Sequence, residues 1–215
     1  MTLPDPPMLV CKILSALALT SVLIIPGAGF AQPLTFAAIG DVPYGPHEEF
    51  ASLIEKLNGQ PIAFTLHVGD IKSGSTVCSD ETFLKVRELF DQFDRALIYT
   101  PGDNEWTDCH RFNNGRYDPL ERLEKIRQLF FASNESLGKQ RLPLQTQSSQ
   151  NSFSIFVENR RWSQGKVRFA TLHLVGSNNN LQPGLPSSSE FAALGVGAQR
   201  LVGSTRCRAT TRGST

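Results

Sequence analysis

The sequence predicts an α/β fold, a largely parallel sheet covered by helices, and two observations predict it. Short apolar runs alternate along the chain with stripes of helical period, the pattern of repeated strand–helix–strand units. Three of the apolar runs close on the same dipeptide, Gly40-Asp41, Gly69-Asp70 and Gly102-Asp103. With 215 residues, 40% of them hydrophobic and 19% charged, the chain can pack one domain and is not globally disordered.

Leu34 to Ile39 is the first apolar run and reads as a buried strand. From Glu48 to Leu57 the apolar residues Phe50, Leu53, Ile54 and Leu57 make a helical stripe. Ile62 to Val68 is the second strand. Ser79 can cap the next helix, whose stripe runs through Phe83, Val86, Leu89, Phe90 and Phe93. Ala96 to Tyr99 is the third strand. Asp118-Pro119 opens a helix with Leu120, Leu123, Ile126, Leu129 and Phe130 on one face, proline being well placed in a first turn. Residues 133–151 are polar and Gln/Ser-rich, the composition of a surface loop. Ser152 to Val157 and Val167 to Val175 read as two strands joined by a polar turn at Gln164-Gly165. There are no internal repeats.

The two ends differ from the body. Lys12 precedes an apolar run from Ile13 to Ile25, then come Pro26-Gly27 and the small residues Gly29 and Ala31. This is the pattern of a secretory signal over residues 1–31, cleaved after Ala31. The run is shorter than the roughly 20 residues of a membrane span, so no stable span is expected after cleavage. A secreted or periplasmic location follows. Export also permits a disulfide between Cys78 and Cys109, which lie in loops at the same end of the sheet; two free loop thiols are the alternative. Residues 191–215 hold Arg200, Arg206, Arg208 and Arg212, no acidic residue and no periodicity. The abrupt change after a helix-like start at Ser189 to Ala192 suggests truncation or a frameshift, with a natural tail as the other reading. The folded body is expected over residues 32–190. It is mildly acidic, because the overall net charge of +1 includes those four arginines, and nucleic acid is not an expected partner.

In an open parallel sheet the carboxyl ends of the strands form the ligand crevice. Three carboxylates gathered there repel one another, and a hard divalent cation with oxygen ligands is the common remedy. Glycine before each Asp allows a sharp turn. The plainer alternative is Asp serving as turn former and helix cap.

The segments Ala37-Ala38-Ile39-Gly40-Asp41, His67-Val68-Gly69-Asp70-Ile71 and Tyr99-Thr100-Pro101-Gly102-Asp103-Asn104-Glu105-Trp106 resemble the first three motifs of calcineurin-like metallophosphoesterases. The resemblance covers roughly residues 34 to 180. It implies a layered βαβ metallophosphoesterase-like sheet with flanking helices, incomplete at the C-terminus. It also implies two divalent metal ions (Mn, Fe or Zn) and hydrolysis of a phosphate-ester small molecule. Asp41 would bind the first metal and Asp70 would bridge both. Asp103 falls where the family has an Asn ligand and Asn104 where its His contacts phosphate; a one-residue slip would make Asn104 the ligand. His110 or Glu105 could orient the phosphate or protonate the leaving group. Pro43 stands where the family's first motif has a His, and the later His motifs, including Gly-His-x-His, do not occur. His173 reads as a strand residue, while His47, at a helix start, and His67, on a sheet face, are weaker candidates. An exported, non-catalytic binding module that keeps the fold is therefore the second reading.

Other signals fall away. Gly69 to Thr76 looks like a phosphate loop, but Ser75 occupies the required Lys position. No Gly-x-Ser-x-Gly elbow occurs. Trp106 and Trp162 are isolated and read as packing residues.

Overall fold

The computed structural model describes residues 33–174 and 176. The expected signal segment, the arginine-bearing tail and Val175 of the expected last strand lie outside the described residues. The elements are β1 (Ala37–Ile39), α1 (His47–Asn58), β2 (Phe64–His67), α2 (Asp80–Phe90), β3 (Ala96–Tyr99), α3 (Pro119–Phe130), β4 (Gln145–Thr146), β5 (Arg160–Gln164) and β6 (Val167–Thr171). The fold is mixed α/β. A parallel sheet has the order β1-β2-β3, with Ala38 opposite Leu66 and Leu66 opposite Ile98. A second, antiparallel sheet has the order β4-β5-β6.

Side chains alternate along β2 and β3, and the alternation divides the core. Leu97 and Tyr99 face a cluster with Phe50 and Ile54 of α1, Phe83, Val86 and Phe90 of α2, and Ile126 and Phe130 of α3. Phe64, Ala96 and Ile98 face the other way, onto Leu144 and Trp162. There Trp162 stacks on Phe169 at 5.2 Å and meets Phe64 edge-on at 5.5 Å, so the small sheet packs on the opposite face from the helices.

Local chemistry fixes the helix starts. Ser79 Oγ accepts from Thr82 N at 3.2 Å, and Asp118 Oδ1 accepts from Leu120 N and Glu121 N at 2.8 and 3.0 Å. Arg122 of α3 reaches across to α2, donating to Cys78 O at 2.9 Å and Asp80 Oδ1 at 2.7 Å. Asn58 closes α1 onto the turn before β3, accepting from Asp94 N and donating to Gln92 O.

Two expectations are corrected. Residues 133–151 are not a plain surface loop: Leu137 pairs with Leu97 along the edge of β3, and Gln145–Thr146 forms β4. Ser152 to Val157 is not a strand; Asn151–Phe153 is a 3-10 turn, and the partner of Val167–Thr171 is Arg160–Gln164. The turn at Gly165 is where the sequence puts it. The strand before it is disguised by arginines. Arg160 is buried because its guanidinium donates to Val157 O, Glu135 O and Ser133 O and lies 4.8 Å over the Phe131 ring.

Glu158 is fully buried. Arg127 grips both its oxygens, at 2.9 and 3.2 Å, and His173 Nδ1 lies 3.0 Å from Oε1. Burial alone would raise the carboxyl, but the bonds and charges of His173 and Arg127 outweigh it and bring it down to about 2. Removing one partner of such a buried pair strands the other charge. Glu158→Gln is therefore expected to lower unfolding free energy at neutral pH by about 3–5 kcal/mol in urea titrations; a loss under about 1 kcal/mol would contradict this account of the network.

Candidate metal centre

The three carboxylates sit where parallel strands end. Asp41, Asp70 and Asp103 follow β1, β2 and β3, separated from them by one, two and three residues. The first two loops are laced together through backbone: Val68 N donates to Ile39 O at 2.8 Å and Asp41 N to Gly69 O at 3.1 Å. The second and third loops meet so closely that only glycine fits. A Cβ on Gly69 would lie 2.3 Å from Gly102 N, and one on Gly102 would lie 2.1 Å from Asp70 Oδ1. Asp41 and Asp70 themselves hold left-handed backbone, φ 58° and 57°, which non-glycine residues adopt at a cost. Strain of this kind collects at functional sites.

His67 pins this arrangement. Gly69 N–H donates to Nδ1 at 3.2 Å, so the ring proton lies on Nε2, which donates to Val42 O at 2.9 Å. One neutral imidazole thus ties the Asp41 loop to the Asp70 loop. Burial brings its pKa down to about 4.

The carboxylates are electrostatically crowded. Burial above all raises the Asp70 carboxyl; Asn104 N–H at 3.2 Å opposes this, and a hydrogen bond and charge from Asp103, with the charge of Asp41, raise it further. Lys72 offsets part of the charge from within. It is 2% exposed, donates to Asn114 Oδ1 at 3.0 Å and Ser73 O at 3.1 Å, and burial pushes it down to about 8 against the pull of Glu105, Asp108 and Asp70.

Asn104 stands at the centre of the polar wall. Its backbone reaches Asp70, and its side-chain Nδ2 donates to Tyr44 Oη at 2.8 Å. Tyr44 Oη donates in turn to Asp41 Oδ1 at 2.8 Å. Burial first, then the bond to Asp41, pushes the phenol well above its ordinary range, so it stays protonated. Beneath Asn104, Cys78 and Cys109 form the expected disulfide, with both sulfurs 3.7 Å from the Asn104 carbonyl oxygen. Closing a 31-residue interval in this way is worth about 3–4 kcal/mol on chain entropy.

Glu105 has a different place from the one expected. It is fully buried, and Oε1 accepts from Tyr99 Oη at 2.8 Å and Gly102 N at 2.7 Å, so it holds the third loop and does not face a ligand. Burial lifts its carboxyl to about 7. His110 turns Nδ1 to Thr107 O at 2.6 Å. His173 lies two residues beyond β6, buried against Trp106 and bonded to Glu158. Three residues further on, Gly176 abuts the third carboxylate: a Cβ there would lie 2.6 Å from Asp103 Oδ2.

The donors present are oxygen atoms, which suit a hard divalent cation better than the nitrogen and sulfur sets favoured by zinc. Among the described residues, no three His, Cys, Asp or Glu side chains form a ready-made cage for an ion. Compared with protein-family models, curated proteins and solved structures, the chain shows no significant match.

Asp41, Asp70, Asp103 and Asn104 stand in neighbouring loops after the strand ends; the motif reading had His67 only as a weaker candidate and did not single out Tyr44 or Lys72. Each lies within three residues of a motif Asp, and that adjacency is the signal that could have found them.

The His67 imidazole titrates near 6.5 when unfolded and near 4 when folded, so the unfolded state takes up protons first. Its contribution to stability is complete above pH 6.5 and is lost as pH falls toward 4. The difference corresponds to about 3 kcal/mol. Urea titrations at pH 7, 5.5 and 4 are expected to show a decline of this order in the wild type that is largely absent from His67→Gln. Parallel declines in the two proteins would contradict it.

Proposed function

We propose that the chain is a divalent-cation-dependent phosphoesterase of the calcineurin-like metallophosphoesterase type. The observation that carries this reading is the gathering of Asp41, Asp70 and Asp103 from three successive parallel strand ends, two of them on strained backbone, with Asp70 held against Asp103. Such crowding is costly without a positive partner, and Lys72 is committed below the loops. Asp41, Asp70 and Asp103 would hold the cation, with Asn104 as a further oxygen donor. The oxygen set fits manganese or a similar hard ion. The second of the two ions implied by the motifs would have to share Asp70, without imidazole ligands.

When bound, such a cation supplies charge neutralisation and Lewis-acid polarisation of a phosphoryl oxygen. The chain's own residues do the rest. His67, Glu105 and the disulfide fix the three loops, so the donors need not reorganise. Asn104 offers an amide toward the same space. The substrate class is a phosphate-ester small molecule, and the disulfide suits the secreted or periplasmic setting.

A specific observation favours the second reading, an exported binding module without turnover. Pro43 replaces the expected imidazole, and His67, His110 and His173 direct ring nitrogens to Val42 O, Thr107 O and Glu158.

The enzyme reading predicts manganese-dependent hydrolysis of 4-nitrophenyl phosphate that a chelator abolishes. Asp70→Asn is expected to lower kcat/KM a hundredfold or more, since even indirect partners of a metal are worth about 10–100-fold. Ligand binding with no turnover, insensitive to chelator, would establish the binding module instead.

A further inference from the structure

We propose that Tyr44 is a substrate-contacting residue of this site, its phenol and the Asn104 amide together receiving the phosphoryl oxygens of the ester. This inference rests on the phosphoesterase reading and adds to it a residue that no motif assigns.

A dianionic phosphoryl group approaching three carboxylates needs hydrogen-bond donors as well as a cation. The buried Lys72 cannot supply them, because the residue is 2% exposed and its ammonium faces Ser73 O and Asn114 Oδ1. Pro43 brings no donor two positions after Asp41. Tyr44 does bring one, a single position later. Its hydroxyl spans two loops 60 residues apart, 2.8 Å from Asp41 Oδ1 and 2.8 Å from Asn104 Nδ2. The side chain is 43% exposed, so the hydroxyl sits at the mouth of the site and not within its foundations. The core-facing residues near it, Tyr99 and Glu105, are buried and bonded to one another.

The bond to Asp41 makes this arrangement responsive. Asp41 Oδ1 holds the phenol now, and if Asp41 held a cation the phenol would lose that acceptor. The displaced O–H would then be a donor without an acceptor, next to the Asn104 amide, which has two N–H groups and gives Tyr44 one of them. Two neutral donors side by side suit a phosphoryl group, and neither carries a charge that would trap the product. A purely structural role, tying two loops together at the surface, would show itself in thermal stability and leave the kinetic constants alone.

The test compares the wild-type chain with Tyr44→Phe, which keeps the ring and removes only the hydroxyl. Three quantities are measured: bound manganese, steady-state hydrolysis of 4-nitrophenyl phosphate, and binding of inorganic phosphate in the presence of manganese. The expected result is unchanged manganese content, a KM and a phosphate dissociation constant both raised roughly tenfold, and kcat within about threefold, the signature of one lost hydrogen bond to a charged acceptor. Equal KM and equal phosphate binding in the two proteins would overturn the inference while leaving the phosphoesterase reading intact. Loss of manganese from the variant would also overturn it, by assigning the hydroxyl to the cation. A wild type that binds phosphate without hydrolysis defeats the phosphoesterase reading alone, and the phosphate comparison still decides Tyr44. A wild type that neither hydrolyses the ester nor binds phosphate defeats both.

Discussion

His67 lies at the end of β2 with both ring nitrogens engaged by backbone, Val42 O at 2.9 Å and Gly69 N at 3.2 Å. The first bond fixes the loop that carries Asp41, and the second fixes the loop that carries Asp70. Both bonds require the neutral ring with its proton on Nε2, and burial against Phe50, Phe90 and Tyr99 keeps it neutral. The hydrophobic core thus sets the protonation state of one imidazole, and that imidazole sets the spacing of two carboxylates.

The third loop is held by separate means that converge on the same place. Glu105 takes Gly102 N from beneath, Tyr99 steadies Glu105, and the Cys78–Cys109 disulfide presses against the Asn104 carbonyl. The glycines at 69 and 102 let the loops touch backbone to backbone. Rigid support below and repelling carboxylates above hold the three loops in a prepared arrangement. On the proposed reading, that preparation is what the fold contributes to chemistry at a phosphoryl group.

Much of the scaffold was legible in the sequence. The three parallel strands, the helices capped by Ser79 and Asp118, and the pairing of Cys78 with Cys109 all follow from local pattern and chemistry. What was not legible depends on contacts across the fold. Arg160 and Arg161 read as loop residues, yet Arg160 is a buried strand residue because carbonyls from residues 133, 135 and 157 converge on it. Leu137 was hidden in a polar stretch whose pairing partner is Leu97. At the site, the strand-end carboxylates announce themselves by repetition. Glu105 was expected to act on the phosphate or the leaving group, and only the path of the third loop buries it. His67 and Tyr44 carry no repeating signal, and their roles come from bonds to loops distant in sequence.

The central claim is that the three strand-end carboxylates form a cation site. Anomalous diffraction at the manganese edge, from crystals soaked in manganese, tests it most directly. The account predicts a peak bounded by Asp41, Asp70 and Asp103, with the Tyr44 hydroxyl released from Asp41. The contradicting result is a saturating soak with no peak at these residues and Tyr44 still bonded to Asp41.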